Sequence, residues 1–287
     1  MIDRRAFIGS TATLAAALAL GGCGSDDDSS ATGPAPGDEF PVTVDGAFGP
    51  TRIPERPERV AAVGFLRDAD VALALGVTPV AMATAGFLPK GLSPWVLEAL
   101  GAAETKRLDT TNGLPFEQIA ATRPDLILAT DDYELERNRA KLARIAPTVA
   151  YAKKPGTDAW QVTAKRVGRA LGRSQEATDL VRQIERRLRA TREAHPELAG
   201  KTVTTGAVTD DGQFDLVSRD SDAAALFLHQ LGMRLSPKIT ALPETQSGRS
   251  TISQEQLALL DADVLMLNYL SSGAQRALEA RRLFKRL

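Results

Sequence analysis

Glu117-Gln118-Ile119-Ala120-Ala121-Thr122-Arg123-Pro124-Asp125-Leu126-Ile127-Leu128 decides the fold, because the chain carries it twice. Glu255-Gln256-Leu257-Ala258-Leu259-Leu260-Asp261-Ala262-Asp263-Val264-Leu265-Met266 aligns on it without a gap. Glu, Gln, Ala and Asp are identical, and the apolar positions agree in type. Each copy reads as a short helix, a break, and an apolar run of strand length. Two copies of one helix-to-strand unit imply a duplicated architecture with a cleft between its halves.

Around the first copy the pattern is strand, helix, strand. Phe40–Val44 alternates like an edge strand, Gly46–Gly49 turns, and Ile53–Pro57 is extended and stiffened by proline. Arg59–Gly64 reads as a buried strand, Asp68–Leu75 as a helix and Gly76–Met82 as a second strand, a spacing that requires parallel pairing. A helix over Pro115–Thr122, a strand Leu126–Ala129, a helix Glu134–Ile145 and a strand Thr148–Tyr151 complete this half. From Asp158 to Glu193 the chain is almost continuously helical, with a break near Gly172 after which Ser174 is placed to cap a second helix. Val181, Ile184 and Leu188 form one apolar stripe among many charges, so this helix reads as a strut with a wet face. The second half resumes with a strand Thr202–Val208, a polar loop, a strand Phe214–Val217 and a helix Asp222–Leu231. A linker containing Pro237, Pro243 and Gly248 then leads to a helix Gln254–Leu260 and a strand Val264–Leu267.

The N-terminus has a different purpose. Arg4 and Arg5 precede an apolar run, Ala12 to Leu20, that ends in Gly21-Gly22-Cys23. The run is about ten residues, short of the roughly twenty that span a bilayer, so it reads as a cleaved signal peptide. Small residues before Cys23, the only cysteine, match a lipobox, which makes Cys23 the acylated mature N-terminus. Gly24-Ser25-Asp26-Asp27-Asp28 and the Gly/Pro-rich run to Asp38 form a polar tether. Arg4-Arg5-Ala6-Phe7-Ile8 resembles a twin-arginine signal, and an ordinary secretory signal fits equally.

Composition narrows the function. A formal net charge of −1 over 287 residues gives no reason for a nucleic-acid partner. With Cys23 committed to lipid there is no disulfide, thiol nucleophile or cysteine metal site. The two histidines, His195 and His229, sit in helical contexts and are too few for a zinc or manganese centre. No Gly-x-Ser-x-Gly elbow, phosphate loop or dinucleotide fingerprint is present, so the chain is read as a non-enzyme without a cofactor.

Several segments together resemble a family: Pro41 to Met82, including Ile53-Pro54-Glu55-Arg56-Pro57-Glu58-Arg59-Val60 and Leu73-Ala74-Leu75-Gly76-Val77-Thr78-Pro79-Val80; Glu117-Gln118-Ile119; Ile145-Ala146-Pro147-Thr148-Val149; and Ile252-Ser253-Gln254-Glu255-Gln256-Leu257. They are similar to ferric-siderophore substrate-binding lipoproteins of ABC importers. The resemblance implies an α/β fold of two lobes with mostly parallel sheets flanked by helices and joined by a long rigid helix. It divides the chain into a signal peptide (1–22), the lipidated cysteine and tether (23–38), an N-terminal lobe (39–157), a helical linker (158–197) and a C-terminal lobe (198–287). It further implies a monomer held at the outer face of the cell membrane that carries an iron-siderophore complex to a permease dimer, with Glu117 and Glu255 docking one lobe each. A negative charge in a helix's first turn is also favoured by the helix dipole alone.

Ligands of open parallel sheets bind outside the strand C-termini. The loops there offer Arg67, Phe87, Trp95 and Tyr133 in the first lobe and Arg219, Arg249 and Tyr269 in the second. Aromatic rings suit the apolar part of a chelator, and guanidinium forks suit its iron-bound oxygens. Asp131 and Asp132 either cap the next helix or face the cleft, where they would favour a hydroxamate over a catecholate. Tyr133 or Tyr269 would also suit haem, and cobalamin is the other rival. By comparison with the family, the chain stops inside the helix before the last strand, so the second lobe is expected to be incomplete.

Overall fold

The computed structural model describes residues 38–245, 249–280 and Phe284. The signal peptide, Cys23, the tether before Asp38, Gly248 and most of 281–287 lie outside the described residues.

The first lobe opens with an antiparallel hairpin, β1 (Val42–Val44) on β2 (Thr51–Ile53), where the sequence suggested only the first strand. Its sheet follows: β3 (Val60–Ala62), helix α1 (Arg67–Ala74), β4 (Ala81–Thr84), α2 (Pro94–Leu100), β5 (Lys106–Asp109), α3 (Phe116–Ala121), β6 (Leu126–Ala129), α4 (Leu135–Leu142) and β7 (Thr148–Ala150). All five strands are parallel, in the order β5-β4-β3-β6-β7. β3 and β6 are buried along their whole length, as central strands covered on both faces must be. Alternation divides the core: Leu126 and Leu128 join one apolar cluster, Ile127 and Ala129 the other.

Two readings change here. The second strand begins at Ala81 rather than Gly76, since Pro79 has no N–H for a ladder. α2 and β5 escaped the sequence because Lys106-Arg107-Leu108-Asp109 buries only Leu108; it is an edge strand guarded by charge.

α5 (Trp160–Ala170) and α6 (Ser174–Ala194) follow, packed on each other. Twenty-one residues make α6 about 30 Å long. Ser174 does not cap it: the residue lies inside the first turn, and its backbone N–H donates to the Asp38 carboxylate at 3.1 and 3.2 Å. Buried Asp38 thus places a negative charge where the helix dipole favours it and fixes the start of the described chain.

The second lobe contains β8 (Thr202–Val208), β9 (Phe214–Leu216), α7 (Ala223–Gln230), β10 (Arg234–Leu235), α8 (Pro237–Thr240), β11 (Ser250–Ile252), a 3-10 helix Gln254–Leu260, β12 (Val264–Tyr269) and α9 (Ser272–Glu279). β8 pairs in parallel with β12 along one edge; its other edge takes β10 in parallel and β9 in antiparallel. β11 adds antiparallel to β9. This sheet is mixed rather than mostly parallel, because the short loop Thr209–Gln213 can reverse a strand but cannot cross over. The proline-containing linker is also more ordered than its composition suggested, supplying β10, α8 and β11.

The sequence repeat is a structural repeat. Ile119 and Leu257 are buried, and the strands that follow, β6 and β12, pair in parallel with β3 and β8 respectively. The repeated aspartate has the same task in both lobes. Asp125 accepts from the N–H of Glu58 (2.8 Å) and Arg59 (3.0 Å) just before β3; Asp263 accepts from the N–H (2.8 Å) and hydroxyl (2.7 Å) of Thr202 at the start of β8. Each carboxylate satisfies donors at the foot of an inner strand of its lobe's main sheet.

Candidate functional site

The order of the first sheet reverses between β3 and β6, so the loops after these strands part and leave a crevice. The depression there has a volume of about 190 Å³, lined by Val63, Phe65, Thr110, Leu114, Asp131, Asp132 and Tyr133 among others. Larger hollows at the feet of the sheets, near Lys106 and near Asp261, lie away from the strand C-termini.

The two loops are locked to each other by exchanged acids. Asp68, fully buried on α1, accepts from the N–H of Gly64 (3.1 Å) and Thr130 (3.0 Å) and from the Thr130 hydroxyl. Asp131, on the β6 loop, accepts in return from the N–H groups of Leu66 and Arg67, both at 3.0 Å. Its other oxygen is buried and has no hydrogen-bond partner among the described residues. Gly64 stands between them; a β-carbon there would collide with Asp131 Oδ1 and Asp68 Oδ2. Burial, and then the charge of Asp131, push the Asp68 carboxyl up to about 8, so it is protonated at neutral pH. Asp132 lies apart from the pair and accepts from the Glu134 N–H (2.8 Å) and Asn138 Nδ2 (3.2 Å) at the start of α4.

Around this lock stand the residues that the sequence singled out. Arg67 Nε is 3.7 Å from Asp131 Oδ2, and its Nη1 lies 3.4 Å from the Asp158 carbonyl. Phe87 is half-buried against the more exposed Phe65, ring centres 5.8 Å apart. Trp95 on α2 is 61% exposed, and its indole N–H donates at 2.9 Å to Asp70, one helical turn along α1 from Arg67. Tyr133 lies against Gly156, where a β-carbon would come within 2.7 Å of its hydroxyl. Gly156 in turn accepts from the Ala223 N–H at 3.0 Å, which joins the first lobe's mouth to the first turn of α7.

A family model described as periplasmic binding protein matches residues 62–287. The chain belongs to the periplasmic binding protein family. Members of this family work outside the cytoplasm and carry a ligand rather than a resident cofactor. Streptococcus pneumoniae TIGR4 PiaA in complex with ferrichrome is 31% identical, with 85% of this chain and 83% of that chain covered and a TM-score of 0.70. A periplasmic solute binding protein from Mycobacterium smegmatis is 32% identical with the same coverage and TM-score. Staphylococcus aureus SirA complexed with staphyloferrin B shares the fold, at 22% identity, 86% and 85% coverage and a TM-score of 0.69. Among curated proteins no sequence matches.

The second lobe of this periplasmic binding protein brings its arginines to the loop before α7. Arg249 Nη1 and Nε are each 3.6 Å from a carboxylate, Asp215 and Asp222. Asp222 also caps α7, accepting from the Ala224 N–H at 2.8 Å. Arg219 reaches Glu244 at 3.4 Å. Tyr269 is not part of this group: it ends β12 and packs against the lobe's apolar cluster, where burial and then Glu279 push its hydroxyl pKa up. Glu117 and Glu255 are both exposed in the first turns of the repeated helices. The Glu255 helix start carries a capping box between Ser253 and Gln256.

Sequence reasoning missed Asp68 and Gly64. Asp68 looked like an ordinary acid in a helix's first turn. The available signal was an acid beyond each of two apolar runs, Val60–Val63 and Leu126–Ala129, that the parallel pattern makes neighbours.

Proposed function

We propose that this chain is an extracytoplasmic solute-binding lipoprotein that captures a ferric-siderophore complex between its lobes and passes it to an ABC-importer permease dimer. The observation that carries the reading is the 31% identity, over 85% of the chain, to a protein solved with ferrichrome. The crevice at the sheet's reversal point, with Phe65, Phe87 and Tyr133 at its mouth, supports it. Segments 39–157 and 198–287 act as the binding lobes and 158–197 as the strut that limits their relative motion. Arg67, Phe87, Trp95 and Tyr133 meet the ligand from one side, Arg219 and Arg249 from the other, with Tyr269 at the margin. Glu117 and Glu255 each present a carboxylate to one permease subunit, and a lipid on Cys23 keeps the monomeric carrier near its importer.

Titration of the purified chain with ferric siderophores, haem and cobalamin tests the reading. Trp95 and Trp160 report by fluorescence, and a ferric siderophore is expected to quench them saturably at micromolar concentration or below, about −8 kcal/mol or stronger. Binding of haem or cobalamin alone would sink it. Cys23→Ser is expected to move the expressed protein from the membrane fraction to the soluble one.

A further inference from the structure

The three arginines expected at the ligand are already paired. Arg67 lies on Asp131, Arg249 between Asp215 and Asp222, and Arg219 on Glu244. Asp131 and Asp222 are buried, so a ligand that drew Arg67 or Arg249 away would leave a desolvated carboxylate without its counter-charge. Arg219 keeps one buried donor, Nε, without a partner among the described residues. That donor can meet one ligand oxygen, while Glu244 already matches the guanidinium's charge. Lys90, Lys153 and Lys154 are exposed on loops beyond β4 and β7. Their charges stay in water, where salt screens them within about 10 Å. The crevice itself is aromatic at the mouth and acidic at the base.

Resting on the reading above, we infer that the site takes a ferric complex without net negative charge, of the trihydroxamate type, and discriminates against tris-catecholates. Three hydroxamates each contribute one negative charge and cancel that of ferric iron. Three catecholates contribute two each and leave the complex with three negative charges, which meet Asp131 and, among the described residues, three site guanidinium groups already engaged by carboxylates. The aromatic rings cover the chelator's apolar rim in either case, so charge decides.

The test is a titration of the full chain with ferrichrome, a neutral trihydroxamate, and with a ferric tris-catecholate, each at about 50 and 500 mM salt. Ferrichrome is expected to bind at least about tenfold more tightly, with an affinity that salt leaves unchanged. A catecholate that binds more tightly, or a ferrichrome affinity that collapses with salt, overturns the inference while siderophore transport stands. Binding of neither complex overturns both. As a second measurement, Asp215→Asn withdraws one carboxylate from Arg249 without touching the α7 cap. It is expected to improve catecholate binding about three- to tenfold and leave ferrichrome binding in place; no gain for the catecholate counts against the charge argument.

Discussion

The two lobes share a floor and differ at the mouth. At the floor, the repeated aspartates Asp125 and Asp263 each grip the start of an inner strand of their lobe's main sheet. At the mouth, the first lobe has a buried lock, Asp68 and Asp131 around Gly64, whereas the second has partly exposed ion pairs, Arg249 with Asp215 and Asp222. What duplication preserved is the device that starts a strand, and what diverged is the chemistry on which a ligand would rest. The scaffold device and the candidate site therefore occupy opposite ends of the same strands.

The largest effect should come from filling the lock. Gly64→Ala forces a β-carbon against two buried carboxyl groups that are already held by four backbone N–H groups. Neither can swing aside without abandoning those bonds, so a loss of about 3 kcal/mol or more is expected in urea unfolding. Gly86→Ala, whose β-carbon would meet nothing within 4 Å, is the control and should stay within about 0.5 kcal/mol. Equal effects at the two positions would show that the lock is no tighter than an open loop.

Next comes the pH dependence that the first lobe's lock should show. In the unfolded chain Asp68 ionises near pH 4, in the folded chain near 8, because burial and then Asp131 disfavour its charge. Between those values the folded state holds the extra proton, so this group's contribution to stability falls as pH rises from about 4 to about 8. Asp68→Asn imitates the protonated carboxyl and removes the titration. Across pH 5 to 8 the wild type is expected to lose about 5 °C or more in Tm relative to Asp68→Asn. Parallel Tm curves for the two proteins would show that the lock does not titrate.

The same contrast explains what could be read from the sequence. The repeat that builds the floor was legible because Asp125 and Asp263 recur in register with apolar strands, a local pattern, although their strand-starting role was not. β6, α6 and β8 were legible for the same reason. The mouth was not, since Asp68 and Asp131 are sixty-three positions apart and acquire their role only when β3 and β6 pair. Tyr269 packs on the second lobe's apolar cluster, a placement hidden in the sequence because a tyrosine at a strand end reads the same whether it turns to the cleft or to the core. Asp38 looked like tether and proves to be the far partner of α6. Long-range hydrogen bonds leave no periodic trace.

The shared floor predicts matched, smaller effects. Asp125→Ala and Asp263→Ala each orphan the donors at a strand's start, donors that water can partly satisfy because both carboxylates are exposed. Each is expected to lower Tm by about 2–4 °C, and the double variant by the sum, since the sites lie in different lobes. Hydrogen bonds from Thr202, backbone first, hold the Asp263 carboxyl well below the usual range. Its contribution is thus fully present above about pH 4 and fades as pH falls below that. A penalty confined to one lobe would mean that the repeat is only a sequence coincidence.

Glu117 and Glu255 should give the smallest effect on the folded protein and sharpen the comparison most. Both belong to the repeat, yet their side chains are exposed, and no hydrogen bond or ion pair of either carboxylate is found among the described residues. A first-turn glutamate interacts with the helix dipole by about 0.3–1 kcal/mol, so Glu→Gln at either position should shift Tm by no more than about 2 °C. If the repeat preserved these residues only for that dipole, transport would be untouched as well. If they dock the permease, uptake into cells carrying Glu117→Gln or Glu255→Gln falls severalfold while the ligand affinity of the purified protein is unchanged. The two outcomes separate a residue retained for the strand it precedes from one retained for a partner, and unimpaired uptake in the double variant would return both glutamates to the scaffold.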